Sequence, residues 1–459
     1  MIRSMLLGCA ALLVVPGVLL VGYVLLADEP PGGEPPAPFD ATAVVPAANA
    51  AVEEALDRSV SADFHEQDLA DLVSYLSHYG IDAYLDERAV AEAGLDSDAP
   101  LRTLHVNDVS LRSVLNLVLA PLDLTYFVRD GKLHITTQDV ADMELVVMVY
   151  RVDDLAGRYT NKSGQSFVTF DDLIEVITST VTPGSWHEFG GPGTVQGFQG
   201  TLVVSQTGRV HQEIQRLLTA LRESRKTELA GAAPKPIWAE RKANLSVMRQ
   251  LEEKSKQPAD FEFAEVPLDD VMAAVADHFG VQIVLDVRAF EEVGISEDTP
   301  VTQRLRQVTL PAALEMLLQP LSLTHRIDDE VVQITSIDVA DTKMAVVVYP
   351  VADLVQPGEA KVGGKGQDFD TLIEAVTETV APDTWDEVGG PGTINEHWIT
   401  SSLVVGQTQA LHGSLARLLT GLRKLRAPLP EPPEGANPKP PPKQALPAPD
   451  KISKPGGLF

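Results

Sequence analysis

The chain repeats itself at an offset of 199 to 201 residues, and no other feature constrains its fold as strongly. His78-Tyr79-Gly80 returns as His278-Phe279-Gly280, and Asp139-Val140-Ala141-Asp142 as Asp338-Val339-Ala340-Asp341. Residues 177–194 and 376–393 are identical at 11 of 18 positions. Gln206-Thr207 and His211 map onto Gln407-Thr408 and His412. Two copies of one unit follow, and chemistry shared by the copies should use residues that recur in both.

Each copy divides into two α+β modules. The first spans 59–138 and 258–337, in the expected order β-α-β-β-α-β-β. Leu69, Leu72, Val73 and Leu76 have the i, i+3, i+4, i+7 spacing of an amphipathic helix, as do Leu268, Val271, Met272 and Val275. Gly80 and Gly280 suit the end of those helices. A second helix carries Leu111, Val114, Leu115 and Val118 and stops before Pro121, and a hairpin turning at Asp130-Gly131 closes the module. The second module spans 139–224 and 338–425, with the order β-α-β-β-α. Leu145 to Tyr150 is nearly continuous apolar sequence, the pattern of a strand covered on both faces. Helices presenting Leu173, Ile174 and Ile177, then Ile214, Leu217, Leu218 and Leu221, complete it. Each copy owns a full set of apolar faces, so each is expected to fold independently. Residues 225–257 read as a charged linker with some helix, 30–58 as a Pro/Ala-rich linker, and 426–459 as a proline-rich tail unable to build a core.

The ends and the charge locate the chain. Met5 to Ala27 is uncharged, and at 1.5 Å per residue it makes a helix of about 35 Å, enough to cross the hydrocarbon core. Arg3 precedes this stretch and Asp28-Glu29 follow, which orients residues after 30 to the outside. Residues 1–29 are therefore expected to be an uncleaved inner-membrane anchor, with the remainder in the periplasm. The rival reading is a cleaved signal peptide, against which Leu25 stands where a small residue is wanted. Leu6-Leu7-Gly8-Cys9 has the look of an acylation box but lacks room for an apolar region before it. Cys9 is the sole cysteine, which excludes intramolecular disulfides and paired-cysteine zinc sites. The formal net charge of −29 repels phosphate backbones and argues against nucleic acid as a partner.

Two stretches carry a family resemblance: VSLRSVLNLVLAPLDLTYFVRDGKLHITT at 109–137 and VTLPAALEMLLQPLSLTHRIDDEVVQITS at 308–336. A strand, an amphipathic helix ending in Leu-x-Pro-Leu-x-Leu or its like, and a short hairpin resemble the secretin and TonB short N-terminal domain, or N0. The second module, with VVSQT or VVGQT leading into a closing helix, is similar to the KH-like N1 domain of secretins. The paired layout also resembles envelope proteins of planctomycete bacteria. The resemblance implies protein–protein contacts with other envelope proteins, in a secretion or envelope assembly, and a homo-oligomer is compatible with it. No pore domain of that family follows. The alternative is a wall-associated or carbohydrate-binding protein.

No motif for catalysis, and no set of residues for a cofactor or metal, stands out. Only His78/His278 and His211/His412 recur; the first pair suits the last turn of a helix, and the second is expected to be exposed or capping. Asp171-Asp172 and Asp269-Asp270 suit helix starts. Gly190-Gly191-Pro192-Gly193 and Gly389-Gly390-Pro391-Gly392 precede a strand, so they read as a turn between strands and not as a phosphate cradle. They are candidate partner-binding loops, together with Trp186 and Trp385. Each tryptophan either plugs the core or anchors an interface, and the core role is the favoured expectation.

Overall fold

The computed structural model describes residues 47–160, 166–254, 256–357 and 367–426, all within one compact unit. The expected anchor, the acylation box and the proline-rich ends lie outside them. No helix among the described residues is long and apolar enough to cross a membrane.

The first module of copy one comprises α1 (Ala47–Leu56), β1 (Ser59–Phe64), α2 (Leu69–His78), β2 (Ala83–Leu85), α3 (Glu87–Glu92), β3 (Leu104–Ser110), α4 (Leu111–Leu119), β4 (Leu124–Arg129) and β5 (Lys132–Thr137). The second comprises α5 (Gln138–Ala141), β6 (Leu145–Arg151), β7 (Gly157–Thr160), β8 (Ser166–Thr169), α6 (Asp171–Thr180), β9 (Thr194–Phe198), β10 (Thr201–Thr207) and α7 (Gly208–Leu229). Between the copies lie β11 (Ile237–Trp238) and α8 (Lys242–Lys254). Copy two repeats the series as β12 (Ala259–Pro267), α9 (Leu268–Phe279), β13 (Ile283–Leu285), α10 (Val287–Glu292), β14 (Pro300–Val308), α11 (Leu310–Leu318), β15 (Leu323–Asp328) and β16 (Val331–Ser336). It ends with α12 (Ile337–Thr342), β17 (Ala345–Pro350), β18 (Gln356–Pro357), β19 (Gln367–Asp368), α13 (Asp370–Thr379), β20 (Thr393–His397), β21 (Ser402–Gln407) and α14 (Gln409–Arg426).

In each first module a two-stranded sheet (β1-β3, β12-β14) and a three-stranded one (β2-β5-β4, β13-β16-β15) enclose the apolar faces of two helices. The expected hairpin and helices are present, and a short helix, α3 or α10, is added after the second strand. Each second module is an antiparallel sheet under two helices, with β6-β10-β9 in copy one.

Three sequence expectations are corrected. Residues 47–56 are not linker: α1 buries Val52 and Leu56 in the first core. Residues 225–257 are not linker either, since α7 runs on to Leu229, β11 pairs with β17 as a fourth strand, and α8 buries Leu251. Nor are the copies self-contained in packing. Val348 and Val404 of copy two are buried in the core that α6 and α7 form with the first sheet, and Val331 is buried in the first module of copy one. The second modules thus stack as sheet, helices, sheet, helices. In that stack α6 and α7 are covered on both sides.

Candidate contact surfaces

The glycine-rich turns are fixed by packing. Gly190 and Gly389 both have φ +89°, a left-handed conformation that a side chain strains. A Cβ on Gly191 would lie 2.2 Å from the Ser185 carbonyl carbon, and one on Gly390 as close to that of Thr384. A Cβ on Gly193 or Gly392 would strike the Gln206 or Gln407 amide, also at 2.2 Å. Each of the three glycines therefore has its own steric reason to recur. The turn joins 3-10 turns after α6 or α13 to strand β9 or β20, where a link between two strands was expected. Pro192 and Pro391 are exposed on it.

Trp186 and Trp385 are each 1% exposed. Their indole Nε1–H groups donate to the carbonyls of Val181 at 2.7 Å and Val380 at 2.8 Å. Both plug the core, so neither anchors a partner, and the exposed apolar residues of these corners are Phe189 and Val388.

His211 and His412 are buried, against the expectation of exposure or capping. Nε2 of each faces a carbonyl, Val146 O or Ala345 O, at 2.8 Å. A carbonyl only accepts, so Nε2 carries the proton and Nδ1 accepts from the hydroxyl of Tyr150 at 2.7 Å or Tyr349 at 2.9 Å. Burial pushes both imidazoles below their ordinary value, His412 to about 4. Both ring nitrogens are used in holding the closing helix to the first strand. His78 and His278 sit in the last turns of α2 and α9, as expected. The acidic pairs occupy the first turns of α6 and α9, and in α9 Asp269 Oδ1 accepts from the Asp270 amide at 2.8 Å. No cluster of His, Cys, Asp or Glu among the described residues is placed to hold a metal ion.

The most developed polar contact lies between the copies. The β15–β16 turn, Asp329-Glu330, reaches the N-terminus of α4. The Ser110 amide donates to Glu330 Oε1 at 3.1 Å, the Ser113 hydroxyl at 2.9 Å, and the Ser110 hydroxyl joins them. A carboxylate from copy two thus satisfies the start of a helix in copy one, where the dipole also favours it. Asn116 Nδ2 and an Arg241 guanidinium nitrogen donate to Asp329 Oδ1 at 2.7 and 2.8 Å. Burial, with Asp328 beside it, pushes Asp329 above the usual carboxylate range even so. Gln282 exchanges two hydrogen bonds with the Asn107 backbone, and Arg102 pairs with Glu297 at 2.9 Å. Beside this junction opens a charged cleft of about 870 Å³ lined by Arg112, Arg216, Glu240, Arg241 and Asp329 among others.

One site element was missed in the sequence. Asn49 of α1 accepts from the Gly131 amide at 2.8 Å, and Asn244 of α8 accepts from the Glu330 amide at the same distance. The two helices are equivalent, each latching its hairpin. The signal is Ala48-Asn49-x-x-Val52-x-x-x-Leu56 against Ala243-Asn244-x-x-Val247-x-x-x-Leu251, at an offset of 195, outside the 199 to 201 of the rest of the repeat.

No family model and no curated protein matches the chain. Among solved structures, one titled "Structure of XcpQN012" is 10% identical over 38% of this chain and 67% of that one, with a TM-score of 0.14. A TM-score of 0.14 does not equate the two folds.

Proposed function

We propose that the protein is a non-catalytic contact protein of the cell envelope, anchored in the inner membrane through residues 5–27, whose paired modules bind other envelope proteins. The observation that carries this reading is the docked turn at Asp329-Glu330: one module already recognises another through a built, buried polar contact. The recurring residues support it from the other side. Trp186 and Trp385, the glycine turns and the His–Tyr pairs all serve to hold the modules rigid. Modules held rigid in this way suit recognition of a folded partner.

Crosslinking in intact cells, followed by purification through the chain, tests the proposal. Defined envelope proteins should be recovered, and recovery should fall when surface charges are reversed. Co-sedimentation with peptidoglycan in place of protein crosslinks would favour the wall-binding reading instead.

A further inference from the structure

The cleft beside the docked turn brings three guanidinium groups together, and two of them are accounted for. Arg112 of α4 is paired with Glu53 at 2.8 Å and with Asp57 at 3.0 Å. Arg241, just ahead of α8, is paired with Asp329 at 2.8 Å. Arg216 of α7 has no ion-pair partner among the described residues, and its buried Nε meets no acceptor. Glu213, on the same face of α7, is taken up by the Thr182 hydroxyl at 3.1 Å and by Arg209 at 3.7 Å. Burial holds the Arg216 guanidinium below its ordinary value, and Arg241 and Arg112 push it the same way.

Glu240 lines the same cleft with the opposite defect. One of its oxygens accepts from the Arg241 amide at 2.7 Å, and no cationic side chain among the described residues pairs with it. Burial pushes this carboxyl above the usual carboxylate range, and Asp328 adds to the effect. Asp328 itself is engaged by Arg326 at 2.5 Å. A cation and an anion therefore share one cleft, each partly desolvated and neither in contact with the other. Two such groups left apart cost more than the same two paired, so a gap held open between them suits a ligand that carries both charges. The repeat does not demand the arrangement. Arg417, the counterpart of Arg216 on α14, is exposed and donates to the Ser414 hydroxyl at 2.9 Å, and Pro311 stands in place of Arg112.

We propose that this cleft binds a zwitterion, an amino acid or short peptide whose carboxylate meets Arg216 and whose ammonium meets Glu240. A guanidinium fork matches a carboxylate with two parallel hydrogen bonds, and an ammonium has three donors to offer the Glu240 oxygens. A simple anion would leave Glu240 unpaired beside Asp328, and a simple cation would face Arg216, Arg112 and Arg241. A zwitterion has no net charge, so the formal −29 of the chain does not repel it. The volume of about 870 Å³ is that of a small-ligand site. The site is separate from the protein-contact reading, and the failure of either leaves the other standing.

Calorimetric titration of the full chain in a mild detergent tests the proposal, with trialanine, trialanine amide, N-acetyltrialanine and glycine as probes. Trialanine should bind, and blocking either terminus should weaken it roughly tenfold or more, the scale of losing a charged hydrogen-bonding partner. Arg216→Gln should bind trialanine and its amide alike while still preferring the free amine. Glu240→Gln should bind trialanine and its N-acetyl form alike while still preferring the free carboxylate. A merely structural role for either residue would not erase discrimination at one terminus alone. Melting temperatures of both variants should hold or rise, because each change removes an unpaired, partly buried charge. Glycine bound as tightly as trialanine would assign the site to free amino acids, and tighter trialanine would assign it to peptides. An unaltered chain that binds neither trialanine nor glycine, or that binds the blocked peptides as well as the free one, would overturn the proposal. Variants that keep both discriminations would overturn it too.

Discussion

Asp130-Gly131 and Asp329-Glu330 close the same hairpin in the two copies, yet only the second turn is docked against another module. Gly131 has φ +77° and faces Ala48 of α1, whose Cβ would lie 2.9 Å from an added Cβ. Glu330 holds φ +66°, a conformation that costs a side-chain residue about 1–2 kcal/mol. That cost is offset where the carboxylate accepts three hydrogen bonds from Ser110 and Ser113. One fold, used twice, has thus kept its turn geometry and changed its turn chemistry. What a module binds is set by the residues at a few such edges, and its core is indifferent to them.

The tryptophans offer the largest effect with which to break the equivalence of the cores. Trp186→Ala and Trp385→Ala should each destabilise the protein by about 3–5 kcal/mol, read from denaturant melts. An unchanged melt for either would show that the copies pack differently at that corner.

Acid should separate the copies next. His412 is held near 4 in the folded state against an ordinary 6.5, and His211 is lowered as well. The unfolded chain therefore binds more protons, and stability present above pH 6.5 is lost as pH falls toward 4. His412 alone accounts for about 3 kcal/mol of that loss. His412→Gln should flatten the acid limb of a stability–pH profile more than His211→Gln does. Equal flattening would make the two His–Tyr pairs alike.

The turns themselves give smaller effects. Glu330→Ala should cost about 1.5–3 kcal/mol, since it removes charged hydrogen bonds from a buried helix start. Glu330→Gly should cost less, because glycine relieves the positive φ. Gly131→Ala should cost about 1–2 kcal/mol for its positive φ alone, with the 2.9 Å approach to the Ala48 Cβ added to it. If Glu330→Ala costs less than about 0.5 kcal/mol, the docked turn contributes little.

Much of this was legible in the sequence, for physical reasons. Helix faces such as Leu69, Leu72 and Leu76 repeat at 3.6-residue spacing, and the hairpins announce themselves by turn residues between alternating strands. The burial of the two tryptophans agrees with the favoured core role. What failed to show were contacts between distant segments. Nothing local marks α1 or α8 as part of a core, because their apolar residues are few and their latching asparagines act on turns 82 and 86 residues away. His211 and His412 read as surface residues until the Tyr150 and Tyr349 hydroxyls are brought to them by the fold. The shared interior was invisible for the same reason: Val348 and Val404 look like ordinary strand residues whichever copy's core receives them.

That shared interior is the central claim, and calorimetry of the full chain tests it most directly. With Val348 and Val404 inside the first copy's core and Glu330 on its helix α4, the copies should unfold together. One transition is predicted, with a calorimetric-to-van't Hoff enthalpy ratio of about one. Two resolved transitions, each matching one copy expressed alone, would contradict it.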